Sequence, residues 1–358
     1  MKPMHKCVAK RNPVFDVAKA FLMYFVILGH LRAAGIVVGT AEPAWRLAMV
    51  VGASMPCFFA ISGLFAAKAF ETRNWPKVLF RTIRILWPMA SFGIVFGSLL
   101  VLRGHGFRSL LTTPFNLFQT LWFLRTLAII NVISAMVFLV GKKRTTRLVL
   151  FALAYVVLVL LPRSFPWYRY GKEVMHMLPY FAFGLFFLER VLEHSALPFA
   201  IVSFLFFLLV AFFSGQVAHN GMGFYWVSAH WRDMLLTKRG LVCFFGRTAM
   251  GIAGTVSLLW GFRWILSKVP PVSHLAPLGT TTLGVYAMHQ WILARIGTHF
   301  HPPFPLSNEW KWAISGAILL VCHVVVVLIS RNKFIHFFFF GDDLILRRFF
   351  RETVIRFR

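Results

Sequence analysis

Residues 15–30, FDVAKAFLMYFVILGH, decide how the rest of the chain is read. The stretch is apolar enough to cross a bilayer, yet it carries Asp16, Lys19 and His30. Each ionisable group placed in a span costs about 2.5–3.5 kcal/mol on insertion scales, so such groups usually face the protein interior and find partners. At about 100° per residue, Lys19 and His30 point the same way from one helix, roughly 16 Å apart along its axis. Asp16 stands one turn before Lys19 and close to the same direction. One face therefore carries an acid, a base and, further along, an imidazole. Two readings stay open at this point. Lys19 can neutralise Asp16 at the membrane interface while His30 is a core histidine, or the face is functional.

The rest of the chain sets the class. It has 358 residues, 59% hydrophobic and 14% charged, with 41 phenylalanines. A soluble domain of ordinary composition carries about 25% charge. The expected fold is all-α: a polytopic membrane protein with about ten transmembrane helices. The predicted spans are 14–31, 46–67, 83–102, 117–140, 147–161, 174–188, 198–213, 241–266, 277–296 and 312–330. Residues 1–330 read as one membrane domain and 331–358 as a basic-aromatic tail lying on the inner membrane surface.

The formal net charge is +27, from 38 Lys and Arg against 11 Asp and Glu. Nucleic acid is the weaker reading of that balance, because the basic residues sit between long apolar runs. They fit loops that meet anionic lipid headgroups. Their distribution places Lys68, Arg73, Lys77, Lys142, Lys143, Arg144 and Arg190 on the same side as both termini. The positive-inside rule makes that side cytoplasmic. The run after Val14 is broken by Asp16 and Lys19 and followed by no small-residue cleavage motif, so no removable signal is expected. Cys7, Cys57, Cys243 and Cys322 stand alone, which implies neither a disulfide framework nor a metal site. Residues 214–240, with two Trp, two His and Asp233, form a long outer segment that reads as a rim over a substrate or as a plain connector.

Other polar groups fall inside or beside the spans. Arg81 and Arg84, at i and i+3 in RTIRILWP, share a helix face. They either anchor the span at the interface or clamp phosphates of a nucleotide or coenzyme. Ser62–Gly63, ending FFAISG, reads as a close-packing site. Tyr286 and His289, in LGVYAMHQW, also share a face and either meet in an interhelical hydrogen bond or serve chemistry. Arg125, Arg247 and Arg295 are further cations within predicted spans. Arg125 is free to pair with Asp16 or to face a cavity. Asp16 is the single acid deep in an apolar run, so the cation excess points to a site that accommodates negative charge. HExxH, Walker A, GxGxxG, GxSxG and His-x4-Asp are all absent.

Taken in order, Asp16-x-x-Lys19 followed by His30, FFAISG at 58–63, RTIRILWP at 81–88, LWFL at 121–124, LPYFAFG at 178–184 and LGVYAMHQ at 283–290 make the chain resemble the integral-membrane acyltransferase 3 family. Within it the likeness is to the fucose O-acetyltransferase-like branch, which commonly has Lys where Lys19 stands. Arg125 follows LWFL where that branch often has Pro. The resemblance implies transfer of an acyl group, usually acetyl, from a cytoplasmic acyl-coenzyme A. The acceptor it implies is a hydroxyl of a cell-surface or lipid-linked sugar, and the location a bacterial inner membrane. It assigns His30 as the essential histidine, with Lys19 and Asp16 its basic and acidic companions. Arg81 and Arg84 become the coenzyme A-binding pair, and Tyr286 and His289 the ninth-span site. No metal is implied. A transporter or flippase of an anionic or lipid-linked glycan is the rival class, because it too would bury cations in a helical bundle.

Overall fold

A computed structural model describes residues 12–33, 44–104, 106–160, 168–194, 197–219, 238–299 and 308–341. Every regular element in them is helical, and no strand occurs among the described residues. The helices are α1 (Pro13–Ala33), α2 (Ala44–Glu71), α3 (Trp75–Leu102), α4 (Arg108–Thr120), α5 (Trp122–Val140), α6 (Arg144–Leu160) and α7 (Tyr168–Phe186). They continue with α8 (Leu188–His194), α9 (Leu197–His219), α10 (Lys238–Lys268), α11 (Ala276–Thr280), α12 (Thr282–His299), α13 (Asn308–Arg331) and α14 (Lys333–Phe340). A 3-10 segment, Pro270–Leu275, precedes α11.

The start signals are local and legible. Asn12 accepts a hydrogen bond from the Val14 N–H, ahead of Pro13 at the first helical position and Asp16 in the first turn of α1. The turn from α2 into α3 uses Arg73 with φ 49°, after which Asn74 accepts from the Lys77 N–H. Asn332 does the same for α14, accepting from the N–H groups of Phe334 and Ile335.

Among the described residues six helices are long and apolar enough to cross a membrane: Pro13–Leu31, Ala53–Glu71, Trp75–Leu102, Trp122–Val140, Phe245–Lys268 and Trp310–Arg331. The remaining predicted spans fall on α6, α7, α9 and α12. Two expected spans are not continuous. The one predicted over 117–140 breaks at Leu121, whose φ of −81° and ψ of 53° end α4 and start α5. The one predicted over 277–296 is interrupted between α11 and α12 at Thr281, whose hydroxyl bonds the Leu278 carbonyl and the His323 ring. Periodicity carries through both breaks, because apolar residues continue on either side of a single non-helical residue. Large apolar side chains such as Leu153, Val157, Val202, Leu205 and Val321 are exposed on the outer faces of α6, α9 and α13. Water would not tolerate that much contiguous apolar surface, so this is a multi-pass membrane bundle whose outer faces meet lipid.

Within a core of bulky side chains, α2 and α7 meet by close backbone contact. A Cβ placed on Gly63 would lie 2.2 Å from the Phe181 carbonyl oxygen, and one on Gly184 would lie 1.9 Å from that of Ala60. Only glycine lets α2 and α7 approach so closely, which is the packing reading of FFAISG and LPYFAFG together. The first part of the tail, α14, packs back into the bundle. Trp87 Nε1 donates to the Phe338 carbonyl and Ser91 Oγ to that of Phe339, while Phe340 is buried. Residues 342–358 lie outside the described residues, as do 220–237 of the outer segment.

Candidate functional site

Three of the sequence-predicted residues converge although they come from distant parts of the chain. The His30 and His289 rings lie 5.2 Å apart between centroids, and the Tyr286 and His289 rings 5.4 Å apart. α1 carries His30, near its C-terminal end and half-buried. α12 carries Tyr286 and His289 one turn apart, both buried.

The hydrogen bonds fix the state of His289. Its Nδ1 lies 3.2 Å from the Val285 carbonyl, which can only accept, so Nδ1 carries the proton. Nε2 is then a lone-pair site, and it is buried without a hydrogen-bond partner. Leaving such an atom unmatched costs about 1–3 kcal/mol, so it is a place where a ligand proton belongs.

Tyr286 is held from the other side. Its hydroxyl oxygen accepts the Phe123 N–H at 3.4 Å. That N–H is in the first turn of α5, where helix amides lack intrahelical partners and carry partial positive charge. The break at Leu121 is what exposes it. Aromatic contacts continue the line: Phe123 lies 5.2 Å from Tyr286 and 4.9 Å from Phe59 of α2. Phe59, Phe123, Tyr286, His289 and His30 thus form one contiguous row across α2, α5, α12 and α1.

Asp16 and Lys19 do not join this row. They pair with each other at 2.6 Å, with side chains 4% and 16% exposed. Asp16 is fourteen residues before His30, about 21 Å along α1. At this end of α1, α11 lies directly on the helix, where a Cβ on Gly279 would be 1.7 Å from the Asp16 carbonyl oxygen.

Arg81 and Arg84 sit near that same end. Arg81 donates to the Ser62 carbonyl of α2 at 2.7 Å, and its Nε is buried without a hydrogen bond. Three residues on along α2, Phe65 meets Phe15 of α1 at 5.3 Å and lies under the Lys19 ammonium at 5.8 Å. Arg84 follows one turn later on α3, half-buried and within electrostatic reach of Arg81. The arginine pair and the histidine pair therefore mark different depths. On α2, Phe59 of the row and Ser62, which holds Arg81, stand one turn apart.

Arg125 pairs with neither Asp16 nor a cavity. It is wholly buried and forms an ion pair with Glu173 of α7. It also donates to the carbonyls of Phe118 and Gln119, the last turn of α4, and lies 4.3 Å over the Tyr170 ring. A cation at a helix C-terminus answers the orphan carbonyls there. Glu173 also accepts from Thr126. Sequence reasoning passed over Glu173 because it lies at the edge of a short apolar run, where an acid reads as loop. The side chain of Arg295 lies outside the described residues. Among the described residues no cluster of three or more His, Cys, Asp or Glu is placed to hold a metal ion.

The arrangement offers a base, a second imidazole and a polarised phenol in a desolvated core, with two guanidiniums nearer one end. Comparison with curated proteins and with solved structures found no match. The family model Acyl_transf_3, described as an acyltransferase domain, matches residues 12–331, nearly the whole membrane bundle. The chain therefore belongs to the acyltransferase 3 family and is a membrane acyltransferase.

Proposed function

We propose that the protein is an O-acyltransferase, moving an acetyl or other acyl group from acyl-coenzyme A to a hydroxyl of a cell-surface or lipid-linked sugar. The observation that carries this is the meeting of His30, His289 and Tyr286, with the bare, buried Nε2 of His289 at its centre.

In this reading the acceptor hydroxyl gives its proton to an imidazole of the pair as its oxygen bonds to the thioester carbonyl carbon. The negative charge that forms on the carbonyl oxygen is met by the Tyr286 O–H. That phenol is a better donor because its own oxygen already accepts the Phe123 N–H. Collapse breaks the carbon–sulfur bond, and the imidazolium returns the proton to the departing thiolate. His30, the more exposed ring, is the group within reach of an acceptor, and the His289 ring packs against it. Arg81 and Arg84 bind coenzyme phosphates near the cytoplasmic face. The pantetheine arm then reaches inward past Ser62 and Phe59. Asp16 and Lys19 act by position, fixing the inner half of α1. The chain resides in a bacterial inner membrane with both termini cytoplasmic.

The test is acetyl transfer in membrane vesicles. Radiolabelled acetyl-coenzyme A is supplied on the cytoplasmic side, and label is followed into the glycan fraction of the envelope. Label appears with the wild-type chain and falls at least a hundredfold with His30→Ala. Equal labelling by both chains would remove the proposal.

A further inference from the structure

α12 carries one polar group that the chemistry above leaves unused. Gln290 follows His289 at the end of LGVYAMHQ, and its side-chain Oε1 is buried without a hydrogen-bond partner. An unmatched buried acceptor is costly, and folded proteins keep few of them.

Helix geometry gives its direction. At about 100° per residue, Gln290 lies about 40° to one side of Tyr286 and His289 about 60° to the other. Both stand one turn beyond the phenol, and the buried Leu293 follows on the same face. Further round the helix comes Trp291, whose ring stacks on Phe96 of α3 at 4.8 Å. Gln290 therefore stands between the side of α12 that meets α5 through Tyr286 and the side that meets α3 through Trp291. α3 and α5 also pack on each other, so the buried oxygen sits in the wedge where three helices meet.

Its depth decides which substrate it meets. Gly279 of α11 lies against Asp16, and His289 against His30, so α11 and α12 run beside α1 in the same direction. Gln290 is then on the far side of His289 from Arg81 and Arg84. A coenzyme arm entering from the arginine end delivers its thioester at the histidines, and beyond them lies the acceptor. The two orphan atoms of this face, Nε2 of His289 and Oε1 of Gln290, both accept. A ligand that satisfies both brings two donors. Neighbouring hydroxyls of a sugar do so, and a simple alcohol does not.

We infer that Gln290 is a specificity-determining residue whose Oε1 accepts a hydrogen bond from a second hydroxyl of the acceptor, beside the one that is acylated. This rests on the acyltransferase reading and adds to it that the acceptor is a polyol.

The test begins with the full-length chain in membrane vesicles supplied with radiolabelled acetyl-coenzyme A. Label in the glycan fraction and label released as free acetate are counted from the same reaction. Their ratio compares capture of the acetyl group by the acceptor with capture by water, and does not depend on how much protein folds. Gln290→Met keeps the length of the side chain and removes the amide. It lowers the ratio about tenfold, the loss of one hydrogen bond, and leaves coenzyme A binding as in wild type. Gln290→Glu keeps an accepting oxygen and recovers part of the ratio. Purified protein is then given acetyl-coenzyme A with molar ethylene glycol or ethanol. Wild type forms the diol ester about tenfold faster, and Gln290→Met forms both esters alike. A ratio unchanged by Gln290→Met overturns the inference, as does a Gln290→Glu ratio no higher than that of Gln290→Met. Loss of coenzyme A binding in Gln290→Met overturns it too, placing the amide at the donor. So does a wild type that forms no diol ester or shows no preference for it. Absence of glycan label from the wild-type chain removes the acyltransferase reading itself, whereas label present at an equal ratio in both chains removes only the role of Gln290.

Discussion

Replacing Glu173 by Gln tests whether the Arg125 network holds the α4–α5 break in shape. The change is isosteric and removes only charge. Arg125 is wholly buried, and its Nε already lacks a hydrogen-bond partner. After the change its guanidinium keeps the Phe118 and Gln119 carbonyls at 2.8 and 3.1 Å, and the Tyr170 face, but loses its counter-charge. Breaking a fully buried pair costs about 3–5 kcal/mol. Glu173 is 21% exposed, so solvent screens part of this, and the expected loss is about 2 kcal/mol. In thermal unfolding in detergent this is a drop of about 5 °C in midpoint. Arg125→Met alone strands the carboxylate instead. The double variant Arg125→Met/Glu173→Gln leaves no stranded charge and unfolds above the sum of the single changes by a coupling of about 1–3 kcal/mol. Strict additivity of the two single changes, or a Glu173→Gln midpoint equal to wild type, would refute the reasoning.

The remaining predictions read different parts of the account. Gly184→Val drives a side chain into the Ala60 carbonyl and lowers the yield of folded protein, whereas Gly261→Ala, with open space around it, is neutral or stabilising by about 1 kcal/mol. Fluorescence size exclusion separates the two. Tyr286→Phe keeps the ring contacts but deletes the donor, so kcat for thioester turnover falls about a hundred- to a thousandfold with KM little changed. Arg81→Met frees the Ser62 carbonyl at the α2–α3 contact and lowers the midpoint by a few degrees, while Arg81→Lys recovers part of it.

Much of the fold was legible because a membrane span announces itself by length and apolarity: the six strongest helices among the described residues all fall on predicted spans, and Pro13–Leu31, Phe245–Lys268 and Trp310–Arg331 do so with little change at either end. The breaks at Leu121 and Thr281 were not legible. A one-residue interruption leaves the apolar pattern intact, yet the first of them exposes the amide that holds Tyr286. The histidine and tyrosine positions stood out as polar groups in apolar runs. Their meeting could not be read, since His30 and His289 are separated by most of the chain. Asp16 and Lys19 show the opposite case: three residues apart on one helix, they were readable as a pair, and they pair. The partner of Arg125 was not legible, because Glu173 lies just outside the predicted span 174–188.

The central claim is that donor binding and acyl chemistry sit at different depths of one bundle. The direct measurement is steady-state loss of the acetyl-coenzyme A thioester by purified protein, with coenzyme affinity measured alongside, for wild type, His30→Ala and Arg84→Ala. The account predicts that His30→Ala binds the coenzyme as wild type does and turns over at least a hundredfold more slowly, while Arg84→Ala loses mainly affinity. Loss of coenzyme binding on His30→Ala, in a protein that is still folded, would contradict it, as would full turnover by that variant.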